Sequence, residues 1–135
     1  MRGKFDKQKE KVEKFKDDAA KEFKKGSYAE AIELYKKAAS TLDNCAEDFF
    51  MFKKEIAQME AAVFGNIAFC YGKDQHDKAQ IDYCTKVIAR ALYIDDVQML
   101  IKAYLRRGLA YEHIEKYKLA VNDLIKVREL QPMNK

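Results

Sequence analysis

The sequence predicts an all-α protein in which three copies of one helix-pair pattern stack along the chain. Only 1 proline and 5 glycines occur among the 135 residues, so few positions interrupt a helix. Apolar residues make up 48% of the chain, which is enough for a packed core and excludes a disordered protein. By length, residues 1–135 form a single domain.

The repeated pattern is a small residue, a turn, and then an alanine and a large residue in the second helix. The first copy supplies Ala19, Gly26, Tyr28, Ala31 and Tyr35, and the third supplies Gly108, Tyr111, Tyr117, Ala120 and Leu124. The second copy is looser and covers Phe64–Gly72 and Ile81–Ile88. The small residues let paired helices approach closely, and the tyrosines fill the wedge between them. The copies span about 12–45, 61–94 and 101–134 by this pattern.

The first three helices are predicted at about 4–25, 28–43 and 46–72 from the hydrophobic period. Gly26 ends the first helix. Ser27 begins the second, with Glu30 three residues later to complete a capping box. The polar pair Asp43–Asn44 is expected to break the second helix.

The last three helices are predicted at about 76–94, 96–114 and 117–131. The turn before them starts at Gly72, and Asp95–Asp96 offers an N-cap for the fifth helix. Pro132 is expected to stop the sixth. Equivalent positions in successive copies lie further apart than the roughly 34 residues of an ideal helix-pair repeat. We therefore expect extra helical turns around 46–60 and 89–99.

Charge and cysteine usage narrow the class of protein. The net charge is +4, and the many lysines of the first helix alternate with acidic residues, which is typical of a solvated helix face. No segment has the ~20 apolar residues of a membrane span, and residues 1–6 lack the apolar core of a signal peptide. Cys45, Cys70 and Cys84 form no paired motif, so free thiols in a reducing compartment are expected.

Catalytic and metal-binding motifs are not found in the sequence. His76 and His113 have no cysteine at metal-ligand spacing, and no glycine-rich phosphate loop or nucleophile motif occurs. The sequence therefore predicts a binding protein with no cofactor and no enzymatic activity. The run Phe49–Phe52 predicts packing between helices, or else a contact patch for a second partner.

The repeat resembles the tetratricopeptide repeat family over nearly the whole chain. The resemblance implies a right-handed α-solenoid, here with some elongated helices, in which the first helix of each pair lines a concave groove. Because solenoids usually end in a polar cap, the domain is also expected to be part of a longer protein.

Within this family the chain is similar to the carboxylate-clamp domains of co-chaperones. Those domains bind the free C-terminus of heat-shock proteins 90 and 70, which ends in Glu-Glu-Val-Asp. Matched residue by residue, the clamp positions fall on Lys16, Asn66, Lys102 and Arg106. The remaining position, an asparagine in the family, is Ala20 here. The resemblance implies a cytoplasmic binding module for these chaperone tails.

The residue chemistry supports a carboxylate ligand independently of the resemblance. Lys102 and Arg106 are one helical turn apart and point the same way. Lysine offers a point charge and arginine a planar fork of donors. Asn66 lies in an apolar run, where a polar side chain needs either a ligand or an internal hydrogen bond.

The sequence is compatible with two other functions. With Ala20 in a clamp position, the groove is also compatible with an internal helix or another assembly subunit. A less favoured alternative is nucleic-acid binding through the lysine-rich first helix, although its interleaved acidic residues argue against a phosphate-binding stripe.

Overall fold

The computed structural model describes residues 2–131, and these form six α-helices and no strand. In chain order they are α1 (Arg2–Lys24), α2 (Tyr28–Asp48), α3 (Lys53–Lys73), α4 (Asp77–Ile88), α5 (Val97–His113) and α6 (Tyr117–Leu130). Each helix packs against the next, and α3 also packs against α5. The predicted all-α solenoid of three helix pairs is therefore confirmed. None of the described helices combines the length and apolarity of a membrane span.

The turns inside the three helix pairs share one backbone geometry. Each contains one residue in the left-handed region, namely Gly26 (φ 81°), Gln75 (φ 60°) and Glu115 (φ 63°). The next backbone N–H donates to a carbonyl oxygen five residues back, over 2.8 to 2.9 Å in all three turns. These shared turns define equivalent positions. Counting back equally from them aligns Asn66 with Arg106, and aligns Ala20 with Phe69 and Leu109.

Helix caps follow the sequence prediction at one end and depart from it at another. Asp96 caps α5 as predicted, because its Oδ1 accepts a 3.0 Å hydrogen bond from the backbone N–H of Gln98. Ser27 does precede α2, but its side chain makes no cap hydrogen bond, so the predicted capping box with Glu30 is wrong. The backbone turn already satisfies the end of α1 through the Ser27 N–H.

Helix ends differ from the prediction where tertiary packing outweighs local preference. Asp43–Asn44 does not break α2, which continues to Asp48 because Leu42 and Cys45 on its other face are fully buried. The helix predicted from 46 begins instead at Lys53, after a short 3-10 turn over Phe50–Phe52. The extra turns expected around 46–60 are therefore split between α2 and α3.

The expected elongation around 89–99 is wrong. Helix α4 ends at Ile88, and Ala91–Tyr93 forms a separate 3-10 turn before α5. The Arg90 side chain explains this end, since its Nη1 donates to the Lys86 carbonyl (2.9 Å) and its Nε to Glu60 Oε1 (3.1 Å). The guanidinium thus engages the Lys86 carbonyl oxygen and the Glu60 carboxylate. A helix that continued past Ile88 would disrupt these two contacts. Pro132, the predicted helix stop, lies outside the described residues.

Small residues allow the close helix contacts that the repeat pattern predicted. Ala19, Ala31 and Ala120 are buried. A Cβ on Gly108 would lie 3.2 Å from Asp123 Cβ, so α5 and α6 touch closely there. Tyr117, which was expected to fill a wedge, is instead exposed, because no helix within residues 2–131 follows α6 and covers it.

The cysteines and the aromatic run Phe49–Phe52 differ in burial. All three cysteines are buried free thiols, and burial raises the pKa of Cys70 to about 11 and of Cys84 to about 12. The aromatic run is divided: Phe49 is buried and Phe52 stacks on Phe5 with ring centroids 4.7 Å apart, whereas Phe50 and Met51 are exposed.

Candidate functional site

The first helices of the three pairs are linked on one face by side chains. The Phe23 ring of α1 lies 5.4 Å from the Phe69 ring of α3, centroid to centroid. The Arg106 guanidinium of α5 lies 4.7 Å above the same Phe69 ring. Phe69 therefore connects all three helices at the centre of the groove.

Three of the five predicted site residues line one cavity. Asn66, Lys102 and Arg106 surround a space of about 210 Å³ between α3 and α5, which also reaches the buried Cys84 and Val87 of α4. Lys16 and Ala20 are on α1 and do not line this cavity. The two predicted site residues on α1 therefore do not belong to this cavity.

Arg106 is a partly buried cation that has no anionic partner within residues 2–131. Burial lowers its pKa, which marks an environment that disfavours the charge. The Phe69 ring offsets part of this cost through a cation–π contact. A bound carboxylate would supply the missing countercharge.

The adjacent Arg107 has a different environment. Its Nε and Nη2 donate to the two carboxylate oxygens of Asp123, over 2.8 and 2.7 Å, and its Nη1 donates to Thr85 Oγ1 over 3.1 Å. The hydrogen bonds to Asp123 raise the pKa of Arg107. Arg107 therefore joins α4, α5 and α6 structurally, while Arg106 faces the groove.

The other predicted polar residues have few internal partners. Lys102 is exposed and makes no ion pair within the described part of the chain. Asn66 is half-buried, and its side chain forms no hydrogen bond among residues 2–131. An internal hydrogen bond therefore does not explain this asparagine in an apolar run.

Lys16 has a neighbour of opposite charge on its own helix. Its Nζ lies 3.7 Å from Glu13 Oε1, in a pair whose side chains are 26% and 57% exposed. Such a pair is weak, so a ligand carboxylate could compete with Glu13 for the lysine. Ala20, one turn further on, is half-buried and offers no donor.

Phe69 is the site residue that the sequence analysis missed. It is 37% exposed, and the equivalent Leu109 on α5 is 43% exposed. Together with Ala20 they form an apolar row across the groove, one turn beyond Asn66 and Arg106. The signal was present in the sequence, because large apolar residues stand at both positions equivalent to Ala20.

Comparisons with known proteins agree with this architecture. No family model matches the chain. The rat mitochondrial import receptor subunit TOM34 is 33% identical over 112 residues, which is 83% of this chain and 32% of that protein. The human peptidyl-prolyl cis-trans isomerase FKBP4 is 35% identical over 117 residues, 84% of this chain and 23% of that protein. The chain thus spans about a third or less of these relatives.

Solved structures extend the comparison. The C-terminal TPR-containing domain of a Plasmodium falciparum putative FK506-binding protein is similar with a TM-score of 0.77 and 26% identity, covering 94% of this chain and 81% of that one. The first TPR of Spaghetti (RPAP3), bound to the HSP90 peptide SRMEEVD, is similar with a TM-score of 0.67 and 26% identity, covering 93% and 85%. With the shared turns, groove and helix order described above, the chain belongs to the tetratricopeptide repeat family.

Proposed function

We propose that the groove is a carboxylate clamp that binds the acidic C-terminal peptide of a heat-shock chaperone of the 90 or 70 class. The observation that carries this proposal is Arg106, a partly buried cation without an anionic partner in residues 2–131, which lines the same cavity as Lys102 and Asn66. The relative solved with the HSP90 peptide SRMEEVD supports the choice of ligand. The protein would act as a binding module in the cytoplasm, where its three free thiols stay reduced.

Each proposed clamp residue has a distinct task. Lys102 is exposed beside the cavity and attracts an acidic oxygen as a point charge. The Arg106 guanidinium presents a planar fork of donors to a carboxylate. Asn66 donates from its amide and orients one oxygen. Lys16 would exchange its contact with Glu13 for the ligand from the α1 side.

The first helix provides little support for nucleic-acid binding. Arg2 and Lys9 at its start both pair with Glu55 of α3, with Arg2 Nη1 at 2.8 Å from Glu55 Oε1. These cations are therefore partly neutralised by an internal partner. An internal helix remains the alternative ligand, and the exposed apolar groove residues Phe69 and Leu109 favour it over nucleic acid.

Charge reversal at the clamp tests the proposal. We expect wild-type protein to bind SRMEEVD at about micromolar affinity in calorimetry, because a short peptide loses entropy on ordering. Lys102→Glu should weaken binding by roughly 10- to 100-fold, the worth of one charge-assisted bond. Lys118→Glu is the matched control, since this exposed α6 lysine lines none of the cavities described here. Equal effects of the two variants would assign the result to net charge and reject the clamp.

A further inference from the structure

We propose that the exposed face of α6 pairs with the same face of a second copy of this chain, in an antiparallel two-fold arrangement. The inference goes beyond the clamp and does not depend on it, because no residue of α6 lines the clamp cavity. Each copy in the pair therefore keeps its own groove.

The outer face of α6 is apolar along most of its length. Ala120 and Asp123 are buried on the opposite side of the helix, close to Gly108 of α5. Four large apolar residues recur at helical spacing on the outer face and are 38% to 59% exposed, namely Tyr117, Val121, Leu124 and Ile125. At about 100° per residue they form one stripe. A contiguous apolar stripe at the surface is typical of an interface.

The other end of the solenoid has no matching apolar surface. None of the large apolar side chains exposed within residues 2–131 lies on α1 or α2, and the exposed side chains of α1 are charged. A head-to-tail stack of α6 on α1 would therefore cover charged groups with apolar ones, at a cost in desolvation. Pairing of α6 with α6 instead removes apolar surface from water on both copies, and it closes as a two-fold dimer.

The charges beside the stripe complement each other in an antiparallel pair. Eleven positions, about three helical turns, separate Lys118 from Glu129, so both lie on the same side of the stripe and near its two ends. When two antiparallel copies of α6 cross near Leu124, Lys118 of one copy lies opposite Glu129 of the other. The same crossing sets Val121 opposite Ile125 of the second copy. Two-fold symmetry makes each of these contacts twice.

The alternative orientation and the existing contacts of these charges do not compete with this pairing. A parallel pair would bring Lys118 against Lys118 and Glu129 against Glu129, which like charges disfavour. Within one copy, Glu129 Oε1 lies 3.7 Å from Lys126 Nζ, and both side chains are largely exposed. Such an ion pair is weak, so Lys118 of a second copy can replace Lys126.

Sedimentation velocity over a range of protein concentrations tests the pairing. We expect a reversible dimer with a Kd on the order of 10–100 µM, because one helix per copy gives less than a standard interface. Ile125→Glu should raise this Kd at least about ten-fold, since it puts a charge into the apolar contact. The matched control is Leu92→Glu, which changes an exposed leucine in the turn between α4 and α5 and should leave the Kd unchanged.

A charge swap tests the orientation. Lys118→Glu alone should weaken the dimer about ten-fold, because each dimer then contains two contacts between like charges. The double variant Lys118→Glu, Glu129→Lys restores opposite charges and should return the Kd to within about three-fold of wild type. Lys37→Glu, on the exposed side of α2, is the control for net charge and should have no effect.

The possible results either support or overturn the pairing. Circular dichroism should show equal helicity for all these variants, because the substituted side chains are exposed. A wild-type protein that stays monomeric at the highest concentration would reject a second copy as the occupant of this face and leave it to a following helix or another partner. A dimer that Ile125→Glu or Lys118→Glu does not weaken, or that the charge swap does not restore, would reject antiparallel pairing through α6.

Discussion

The two adjacent arginines of α5 should have different roles. Replacing Arg107 should reduce stability, and replacing Arg106 should abolish peptide binding. Arg107→Met leaves Asp123, a carboxylate with a side chain only 5% exposed, without its cation. Breaking a buried pair costs about 3–5 kcal/mol. Because the Arg107 side chain is 18% exposed and the pair is partly solvated, we expect the free energy of unfolding to fall by about 2–4 kcal/mol.

Arg106→Met should behave in the opposite way. It removes a cation that has no anionic partner in residues 2–131 and replaces it with an apolar chain of similar length. The lost cation–π contact with Phe69 is worth about 0.5–2 kcal/mol, and the relief of an unpaired buried charge offsets it. The net change in stability should stay within about 1 kcal/mol, while binding of SRMEEVD is lost.

Urea unfolding followed by circular dichroism measures both variants, with calorimetry for the peptide. The double variant Arg107→Met, Asp123→Leu should recover much of the stability lost in the single variant, because no buried carboxylate is then left unpaired. Equal destabilisation by the two arginine variants, or loss of peptide binding on Arg107→Met in a fully folded protein, would refute this division of roles.

Three smaller changes test the turns, an ion pair and the altered clamp position. Gln75→Gly or Glu115→Gly should each stabilise the fold by about 0.5–1 kcal/mol, because the left-handed φ strains a side-chain-bearing residue; a lower urea midpoint would contradict this. The hydrogen bond from Arg2 lowers the pKa of Glu55. The stability that ionised Glu55 adds to the fold is therefore present above its unfolded pKa of about 4.3, and it is lost as the pH falls through the folded pKa. Glu55→Gln should therefore cost less than about 1 kcal/mol at pH 7, with the difference from wild type vanishing in acid. Ala20→Asn should tighten SRMEEVD several-fold through about one hydrogen bond of ~1 kcal/mol, and an unchanged affinity would mean that α1 does not contact the carboxylate.

Much of the fold could be predicted from the sequence because the repeat sets helix order and turn position together. Gly26 ends α1 and Asp96 caps α5, as their local chemistry predicted. The helix ends at Asp48 and Ile88 could not be predicted, because burial of Cys45 and the reach of Arg90 to Glu60 are tertiary effects. At these helix ends, tertiary contacts outweigh the helix propensity of the local sequence.

The residues of the candidate site could be proposed from the sequence, but their arrangement in space could not. Spacing alone indicated that Lys102 and Arg106 share a face, and the structure brings them to one cavity with Asn66. Spacing could not tell Arg106 from Arg107, since only the position of Asp123 on α6 decides which arginine is paired. The placement of Phe69 between Phe23 and Arg106 likewise depends on how α1, α3 and α5 stack.

The most direct test of the carboxylate clamp compares SRMEEVD with a free C-terminus and with a C-terminal amide, in calorimetry on the wild-type protein. The amide removes the terminal charge that Arg106 and Asn66 are proposed to hold, and changes little else. We predict binding of the free acid at about micromolar affinity and at least ten-fold weaker binding of the amide, the loss of one charge-assisted interaction. Equal affinity for the two peptides would contradict the clamp and would make an internal segment the ligand of this groove.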